Sequence, residues 1–325
     1  MRIFIVRWGR RLGLAVIVLA ILVAGLLTAA RVPDRTVADL KSRYASPASQ
    51  FLDLMPGMIV HVRDEGPRDG RPVLLLHGSN ASLQTWEPWV SRLTKAGYRV
   101  VTLDFPAHGL SGPVASKDYS HGAYVDVIDA LVDRLELDRV AVGGNSMGGG
   151  VAWSWALRRP ERVAALLLVD STGEPAPEDS SPPLGSKLAN VPVAREILAS
   201  VTPRMIIERS LVQSVSVKEI VTPEMVDRYW ELLLYPGNRE ATLDRFSQYA
   251  PPADGNKLRG LDVPALVLWG AEDRLIPVSS AQWFMERLPD ARVSILQGVG
   301  HIPMEEAPDR SLVPVLDLLA RGRWD

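Results

Sequence analysis

The segment Gly144–Gly148, with the sequence Gly-Asn-Ser-Met-Gly, restricts the fold of this chain more than any other feature. It follows the apolar run Val140–Val142 and leads into a stretch with helical character. In that context a G-x-S-x-G motif predicts a sharp strand-to-helix turn that holds the serine hydroxyl clear of the backbone. Gly144 and Gly148 flank Ser146 at points where larger side chains would collide. The motif therefore predicts a nucleophilic Ser146 at the end of a buried strand.

The general base predicted for Ser146 is His301. The chain has five histidines, and only this one follows a predicted final strand, Val293–Leu296, in a loop that contains glycine. Such a loop can bring an imidazole back to the sheet edge where the serine lies. His77 and His108 follow other predicted strands, and we expect them to brace their loops by hydrogen bonding.

The acid that orients the base is predicted to be Asp273. It follows Ala265–Trp269, which has the composition of a buried parallel strand, and sites in α/β sheets form at the carboxyl ends of such strands. The neighbouring Glu272 is the weaker candidate. Asp170 is an alternative acid, because it ends another buried strand, Val163–Val169. Otherwise we expect Asp170 to be a turn residue whose side chain bonds its own backbone.

The order Ser146, Asp273, His301 along the chain resembles the catalytic triad of the α/β-hydrolase family. The similarity extends from about Gly57 to the C-terminus. It implies an α/β-hydrolase fold with a mostly parallel central sheet, helices on both faces and a helical cap insertion. A serine nucleophile separates the chain from those members of the family that use aspartate on epoxides or halogenated compounds. The resemblance implies an acyl-enzyme, with no cofactor and no metal.

The segment His77–Asn80, with the sequence His-Gly-Ser-Asn, resembles the oxyanion loop that follows the third strand of this family. The resemblance implies that the backbone amides of Ser79 and Met147 hold the oxyanion. It also implies a set of residues that shape the site without taking a chemical step: His77, Gly78, Asn80, Gly144 and Gly148. Asp104–Ser111 resembles the loop after the fourth strand, and we expect Asp104 to tie that loop down.

Apolar strands alternate with helical segments along the chain, which predicts a mostly parallel sheet covered on both faces. The predicted strands are Met58–Arg63, Val73–Leu76, Arg99–Leu103, Val140–Val142, Val163–Val169, Ala265–Trp269 and Val293–Leu296.

Between about residues 171 and 258 the strand pattern gives way to a proline-rich linker and short helical segments: Ala194–Ser200, Arg204–Gln213, Pro223–Leu234 and Arg239–Tyr249. This stretch lies where the resembled family inserts a cap. We therefore predict a hydrolase domain over residues 36–325 with a cap insertion at about 171–258. Four apolar positions in the cap are candidates to line a substrate pocket, although residues at helical spacing more often serve simple packing: Met205, Ile206, Met225 and Trp230.

The reaction predicted from these motifs is hydrolysis of a carboxylic ester. The first alternative is hydrolysis of a carbon–carbon bond in a diketone-like acid, and a perhydrolase or haloperoxidase-like activity is another. A cationic residue in the pocket would favour the carbon–carbon reaction, and Arg204 and Arg209 are candidates in the cap. A binding module without activity is disfavoured, because all three triad residues are present.

Composition excludes several other classes of function. The net charge is −2 and no dense basic patch follows residue 35, so nucleic-acid binding is not expected. The chain has no cysteine, which excludes disulfides, a thiolate nucleophile and cysteine-ligated metals. The expected partner is a small ester or other acyl substrate.

The first 35 residues form a separate predicted unit. Leu12–Ala30 contains 19 residues without a charge, and four arginines precede it. This length and charge pattern predicts a single transmembrane helix with the N-terminus in the cytoplasm. The expected location is the inner membrane, with the catalytic domain outside the cytoplasm. The alternative is a cleaved signal peptide, which would leave a secreted or periplasmic enzyme.

If Leu12–Ala30 is an uncleaved anchor, the full chain expressed in a Gram-negative host should sediment with membranes and resist extraction by high salt or carbonate. Protease added outside the inner membrane should digest the C-terminal domain, because the arginines retain the N-terminus in the cytoplasm. A soluble product that starts just after Ala30 would instead identify a cleaved signal peptide.

Overall fold

Eight strands form one mixed sheet in the part of the chain that the computed structural model describes, residues 17–19, 22, 25–173, 191–250 and 254–324. The spatial order is β1-β2-β4-β3-β5-β6-β7-β8. The pairs β1–β2 and β2–β4 are antiparallel, and every later pair is parallel. The strands are β1 (Ser49–Met55), β2 (Met58–Glu65), β3 (Pro72–Leu76), β4 (Arg99–Leu103), β5 (Val140–Asn145), β6 (Val163–Val169), β7 (Ala265–Gly270) and β8 (Ala291–Leu296).

Helices cover both faces of the sheet because its central strands bury both sides. Along β3, Leu74 and Leu76 pack into one apolar cluster, whereas Val73 and Leu75 pack into the cluster on the opposite face. Successive side chains of a strand point to opposite faces, so a continuous apolar run is what a doubly covered strand requires. After residue 36, the α-helices outside the cap in the described residues are α1 (Val37–Tyr44), α2 (Glu87–Lys95), α3 (His121–Arg134), α4 (Met147–Arg158), α9 (Ser280–Met285), α10 (Pro303–Glu306) and α11 (Pro308–Arg321).

Among the described residues, four helices lie between β6 and β7 in the sequence, and we refer to them as the cap helices. They are α5 (Pro192–Ser200), α6 (Arg204–Ser214), α7 (Pro223–Leu233) and α8 (Asn238–Gln248). The proline-rich linker before them, residues 174–183, lies outside the described residues.

All seven predicted strands are present, and no strand end differs from its predicted position by more than three residues. The sequence analysis missed β1, which pairs antiparallel with β2 at the edge of the sheet. Its side chains are mostly half-buried and do not alternate between buried and exposed positions, so the strand lacks the period-two pattern that identifies others.

The segment that precedes α1 is attached to the cap helices. The Val32 amide donates to the Ser200 carbonyl at 3.0 Å, and the Arg35 amide donates to the Leu234 carbonyl at 2.9 Å. Asp34 accepts from the Arg239 guanidinium at 2.6 Å. The N-terminal segment therefore contacts the ends of α5 and α7 and the start of α8.

Within the described residues, no helix combines the length and the apolar character needed to cross a membrane. The predicted span Leu12–Ala30 lies partly outside those residues, so the anchor stays a prediction.

Asp104 ties down the loop after β4, as the sequence analysis expected. One carboxylate oxygen accepts from the Leu83 amide at 2.7 Å, and the other accepts from the Leu110 amide at 2.8 Å and lies 2.7 Å from Nδ1 of His61. Burial alone would raise the pKa of Asp104, but His61 and the backbone donors outweigh it and lower that pKa below its usual value. The charged carboxylate thus joins β2, the short helical turn that follows the oxyanion loop, and the β4 loop.

Replacing Asp104 by Asn should destabilise the fold by about 3 kcal/mol. Both carboxylate oxygens accept hydrogen bonds, so the NH2 group of Asn would face a donor in either orientation: the Leu83 amide, or the Leu110 amide and His61. A lowered pKa stabilises the folded state above about pH 4 and this contribution is lost on further acidification. The difference in free energy of unfolding between wild type and Asp104→Asn, measured in urea, should therefore shrink below that pH. The exposed Asp53→Asn is the control; equal stability of both variants would contradict the assignment.

Candidate active site

Ser146 occupies the sharp turn between β5 and α4. Its φ of 54° lies in the region that residues with side chains rarely adopt, which indicates stored backbone strain. A β-carbon on Gly144 would lie 2.2 Å from the Gly148 carbonyl carbon, and one on Gly148 would lie 2.2 Å from the Leu76 carbonyl oxygen. Only glycine fits either position, and this close approach presents Ser146 at the carboxyl end of the sheet.

The structure brings the predicted base and acid into direct contact. Nδ1 of His301 lies 2.7 Å from one carboxylate oxygen of Asp273, and both residues are buried. The other carboxylate oxygen accepts from the amides of Leu275 and Ile276 at 2.7 and 3.0 Å. With Asp273 fixed in this way, the contact directs Nδ1 toward the acid and leaves Nε2 as the nitrogen that can serve the serine.

The loop that carries His301 is held by the elbow and by the cap. The Asn145 side-chain amide donates to the His301 carbonyl at 2.9 Å, and the His301 amide donates to the carbonyl of Ser214 at 2.7 Å. Glu306 accepts from the Gly300 amide at 2.6 Å. The weaker acid candidate, Glu272, accepts from an amide of the same loop rather than from the imidazole. Sequence reasoning missed Asn145 and Glu306, although Asn145 stands inside the motif itself.

Asp170, the alternative acid, bonds the end of β7. Its carboxylate accepts from the Gly270 amide at 2.9 Å. Burial, followed by the negative charge of Asp273, raises the pKa of Asp170 well above its usual value. Asp170 therefore bonds the sheet, whereas Asp273 makes the contact with His301.

The side chains of Asp170, Asp273 and His301 also form the one cluster of possible metal ligands in the part of the chain that the structure describes. Their ligand atoms all lie within 4.8 Å of one another. The 2.7 Å contact between His301 and Asp273 uses the atoms that an ion would need, and the raised pKa of Asp170 makes it a poor anionic ligand. The arrangement fits proton sharing between an imidazole and a carboxylate better than metal ligation.

The predicted oxyanion loop lies beside the elbow. A β-carbon on Gly78 would lie 3.2 Å from the Ser146 β-carbon, so the loop passes close to the nucleophile. His77 braces it: Nε2 accepts from the Phe105 amide at 3.0 Å, which leaves Nδ1 to donate to the Gly78 carbonyl at 2.7 Å. Burial lowers the pKa of His77, in agreement with a neutral ring. The next residue, Ser79, lines the same cavity as Ser146.

A cavity of about 380 Å³ opens between the oxyanion loop, the elbow and the cap helices. Ser146 and His301 both line it. Apolar side chains make up most of the remaining wall: Leu198, Ile206, Ile207, Leu211, Leu233, Leu243, Phe246, Leu275 and Ile302. The cavity is large enough for an acyl group or a small acid next to the serine.

The cavity has a different cation from those that the sequence suggested. Arg204 pairs with Asp227 at 2.5 Å, and Arg209 is exposed; neither lines the cavity. Within the described residues, the cationic side chain in its wall is Arg239, which pairs with Asp34.

Of the four apolar candidates in the cap, Ile206 lines the cavity and the others do not. Met205 is exposed, and Met225 packs into an apolar cluster. The indole of Trp230 donates to the Thr202 carbonyl at 2.8 Å.

Comparison with known proteins identifies the family of this chain. The sequence model described as alpha/beta hydrolase fold matches residues 71–308. A 2-hydroxy-6-oxononadienedioate/2-hydroxy-6-oxononatrienedioate hydrolase from Klebsiella pneumoniae is 29% identical over 84% of this chain and 96% of its own length.

Two solved structures are also similar. A meta-cleavage product hydrolase from Pseudomonas fluorescens has a TM-score of 0.71 and 25% identity, over 82% of this chain and 96% of that one. A membrane phospholipase A has a TM-score of 0.69 and 25% identity, over 98% of both chains.

Asp273→Asn should reduce turnover by about 10⁴-fold, because the neutral amide favours the wrong imidazole tautomer. Asp170→Asn should reduce turnover far less. The amide oxygen of Asn can still accept from Gly270, and the raised pKa of Asp170 already favours its neutral form. Turnover per folded protein should be compared between variants whose melting temperatures equal that of the wild type. The reverse ranking would assign the orienting role to Asp170.

Proposed function

Since the chain belongs to the α/β-hydrolase fold family, we propose that it is a serine hydrolase that works through an acyl-enzyme. Ser146 attacks the substrate carbonyl while His301 accepts its proton, and His301 then returns that proton to the leaving group. Asp273 orients the imidazole and stabilises its charged form. The observation that carries this proposal is the 2.7 Å contact between His301 and Asp273 in a cavity that Ser146 also lines.

The oxyanion is held in this proposal by the backbone amides of Ser79 and Met147. Two observations support it: Met147 is the first residue of α4, and Ser79 follows Gly78, which passes close to Ser146 and is held by His77. Backbone donors placed where negative charge develops are typically the largest electrostatic contribution in acyl transfer.

Hydrolysis of a carbon–carbon bond is the first candidate reaction, and the named relatives favour it over the ester hydrolysis that the sequence analysis put first. The Klebsiella pneumoniae relative is a hydrolase of 2-hydroxy-6-oxononadienedioate and 2-hydroxy-6-oxononatrienedioate, and its similarity covers 84% of this chain. In such a reaction the carbonyl carbon stays on Ser146 as the acyl group. The departing carbon takes the bond electrons and a proton, and water then releases the acyl-enzyme as the second acid.

Ester hydrolysis is the second candidate, and the wall of the cavity favours it. Apolar side chains dominate that wall, and the charge of its one described cation, Arg239, is compensated by Asp34. A substrate with two carboxylates would have to bring both charges into this surface, whereas a neutral ester with an apolar acyl chain would not.

We also propose that the enzyme is a single-pass protein of the inner membrane with its catalytic domain outside the cytoplasm. The uncharged span Leu12–Ala30 and the arginines before it support this location. A membrane phospholipase A is one of the similar solved structures, with a match over 98% of both chains.

A fluorophosphonate probe and two substrate series should test the proposal on the full-length protein. The probe should label wild type and not Ser146→Ala, which should also lose several orders of magnitude of turnover because the nucleophile is absent. A 2-hydroxy-6-oxononadienedioate and p-nitrophenyl esters of increasing chain length should then be compared by kcat/KM. Higher kcat/KM for the diacid assigns the carbon–carbon reaction, and higher kcat/KM for any ester assigns ester hydrolysis.

Two neighbouring cap residues provide a matched control for the role of the cavity. Ile206 and Met205 are both 54% exposed, but only Ile206 lines the cavity. Ile206→Trp should lower kcat/KM for long acyl chains about tenfold relative to acetate esters, because the larger indole side chain would occupy part of the cavity. Met205→Trp should leave this ratio of kcat/KM values unchanged.

An absence of fluorophosphonate labelling in folded wild-type protein would contradict the serine mechanism itself.

A further inference from the structure

Arg245 is a buried cation at the base of the cap, in α8. Its residue exposure is 2%. Burial lowers the pKa of its guanidinium, which reflects the cost of holding the charge there. Within the described residues, it makes no ion pair with a carboxylate, unlike Arg239 and Arg204 in the same cap helices. Taking a charge out of water without a counter-ion is strongly unfavourable, so this arrangement requires a reason.

The groups around Arg245 are neutral. Burial and then the charge of Arg245 lower the pKa of His108 well below its usual value. Burial raises the pKa of Tyr249 to about 12, and it raises that of Tyr124 as well. The positive charge is therefore not cancelled locally.

Arg245 contacts residues from both halves of the proposed oxyanion hole. One terminal nitrogen donates to the side-chain oxygen of Asn80 at 2.8 Å, and the other lies 3.8 Å from the sulfur of Met147. Asn80 follows Ser79 in the oxyanion loop and has a φ of 60°, an unusual backbone conformation that needs support. A guanidinium has only donors, so it fixes the Asn80 amide with its oxygen toward Arg245.

We propose, on the basis of the serine mechanism above, that Arg245 is a positioning residue for the oxyanion hole. It holds the oxyanion loop through Asn80 and the start of the elbow helix through Met147. Its uncompensated charge also raises the positive potential at the point where the oxyanion forms. The cap thereby contributes to the chemical step as well as to the wall of the cavity.

The test is the second-order rate constant for labelling of Ser146 by a fluorophosphonate, whose phosphoryl oxygen occupies the oxyanion hole. Arg245→Met should slow labelling by about tenfold to a hundredfold, less than the loss of an oxyanion donor itself. Arg245→Lys should recover part of this rate, because it retains the charge. Asn80→Asp should also slow labelling, because it keeps the contact and neutralises the charge. Arg204→Met is the control for loss of a cap arginine and should label at the wild-type rate.

A purely structural role would give a different pattern. Arg245→Met would then lower the melting temperature while folded protein is labelled at the wild-type rate, and lysine would give no partial recovery. Wild-type labelling rates for folded Arg245→Met and Asn80→Asp would overturn the inference. If Arg245→Met does not fold, Arg245→Lys and Asn80→Asp still decide the matter. Failure of the serine mechanism is distinguishable, because wild type itself would then remain unlabelled.

Discussion

The close approach of α4 to β3 and β5 is the constraint on which the site depends. Neither Gly144 nor Gly148 has space for a β-carbon, and the Ser146 amide is held by the Val169 carbonyl at 3.0 Å. The helix can begin so near the sheet only because these positions lack side chains. That proximity places the first amide of α4, at Met147, opposite the oxyanion loop. The strained φ of Ser146 is thus maintained by packing on both sides of the turn.

The cap helices are coupled mechanically to the reacting groups. The last residue of α6, Ser214, accepts from the His301 amide, and α8 reaches the oxyanion loop through Arg245. The N-terminal segment is bound in turn to the cap, by the pair between Asp34 and Arg239 and by backbone bonds to Ser200 and Leu234. A displacement of the cap would therefore also move His301 and the oxyanion loop, and not only the cavity wall.

Sequence predicted the strands and the contacting pair His301 and Asp273 because their signals are local: apolar runs, glycines and loops that follow strands. It missed β1, whose half-buried side chains show no alternation. It could not separate Ile206 from Met205, since adjacent residues on a helix differ only in the direction they face. It also could not foresee that Arg239 pairs with Asp34 or that Arg245 lacks a carboxylate, because those facts depend on partners distant in sequence.

The two buried cap arginines show why the triad alone cannot identify the substrate. In the proposed mechanism, Ser146, Asp273 and His301 serve ester and carbon–carbon hydrolysis equally, so the choice must come from the surroundings of the scissile bond. Arg239 faces the cavity wall with its charge compensated, which reduces its attraction for an anionic substrate. Arg245 lies behind the oxyanion hole with its charge uncompensated, where it favours negative charge that develops during the reaction. The protein therefore places its free positive charge where it assists the transition state, and discrimination between substrates falls to the shape and apolar character of the cavity.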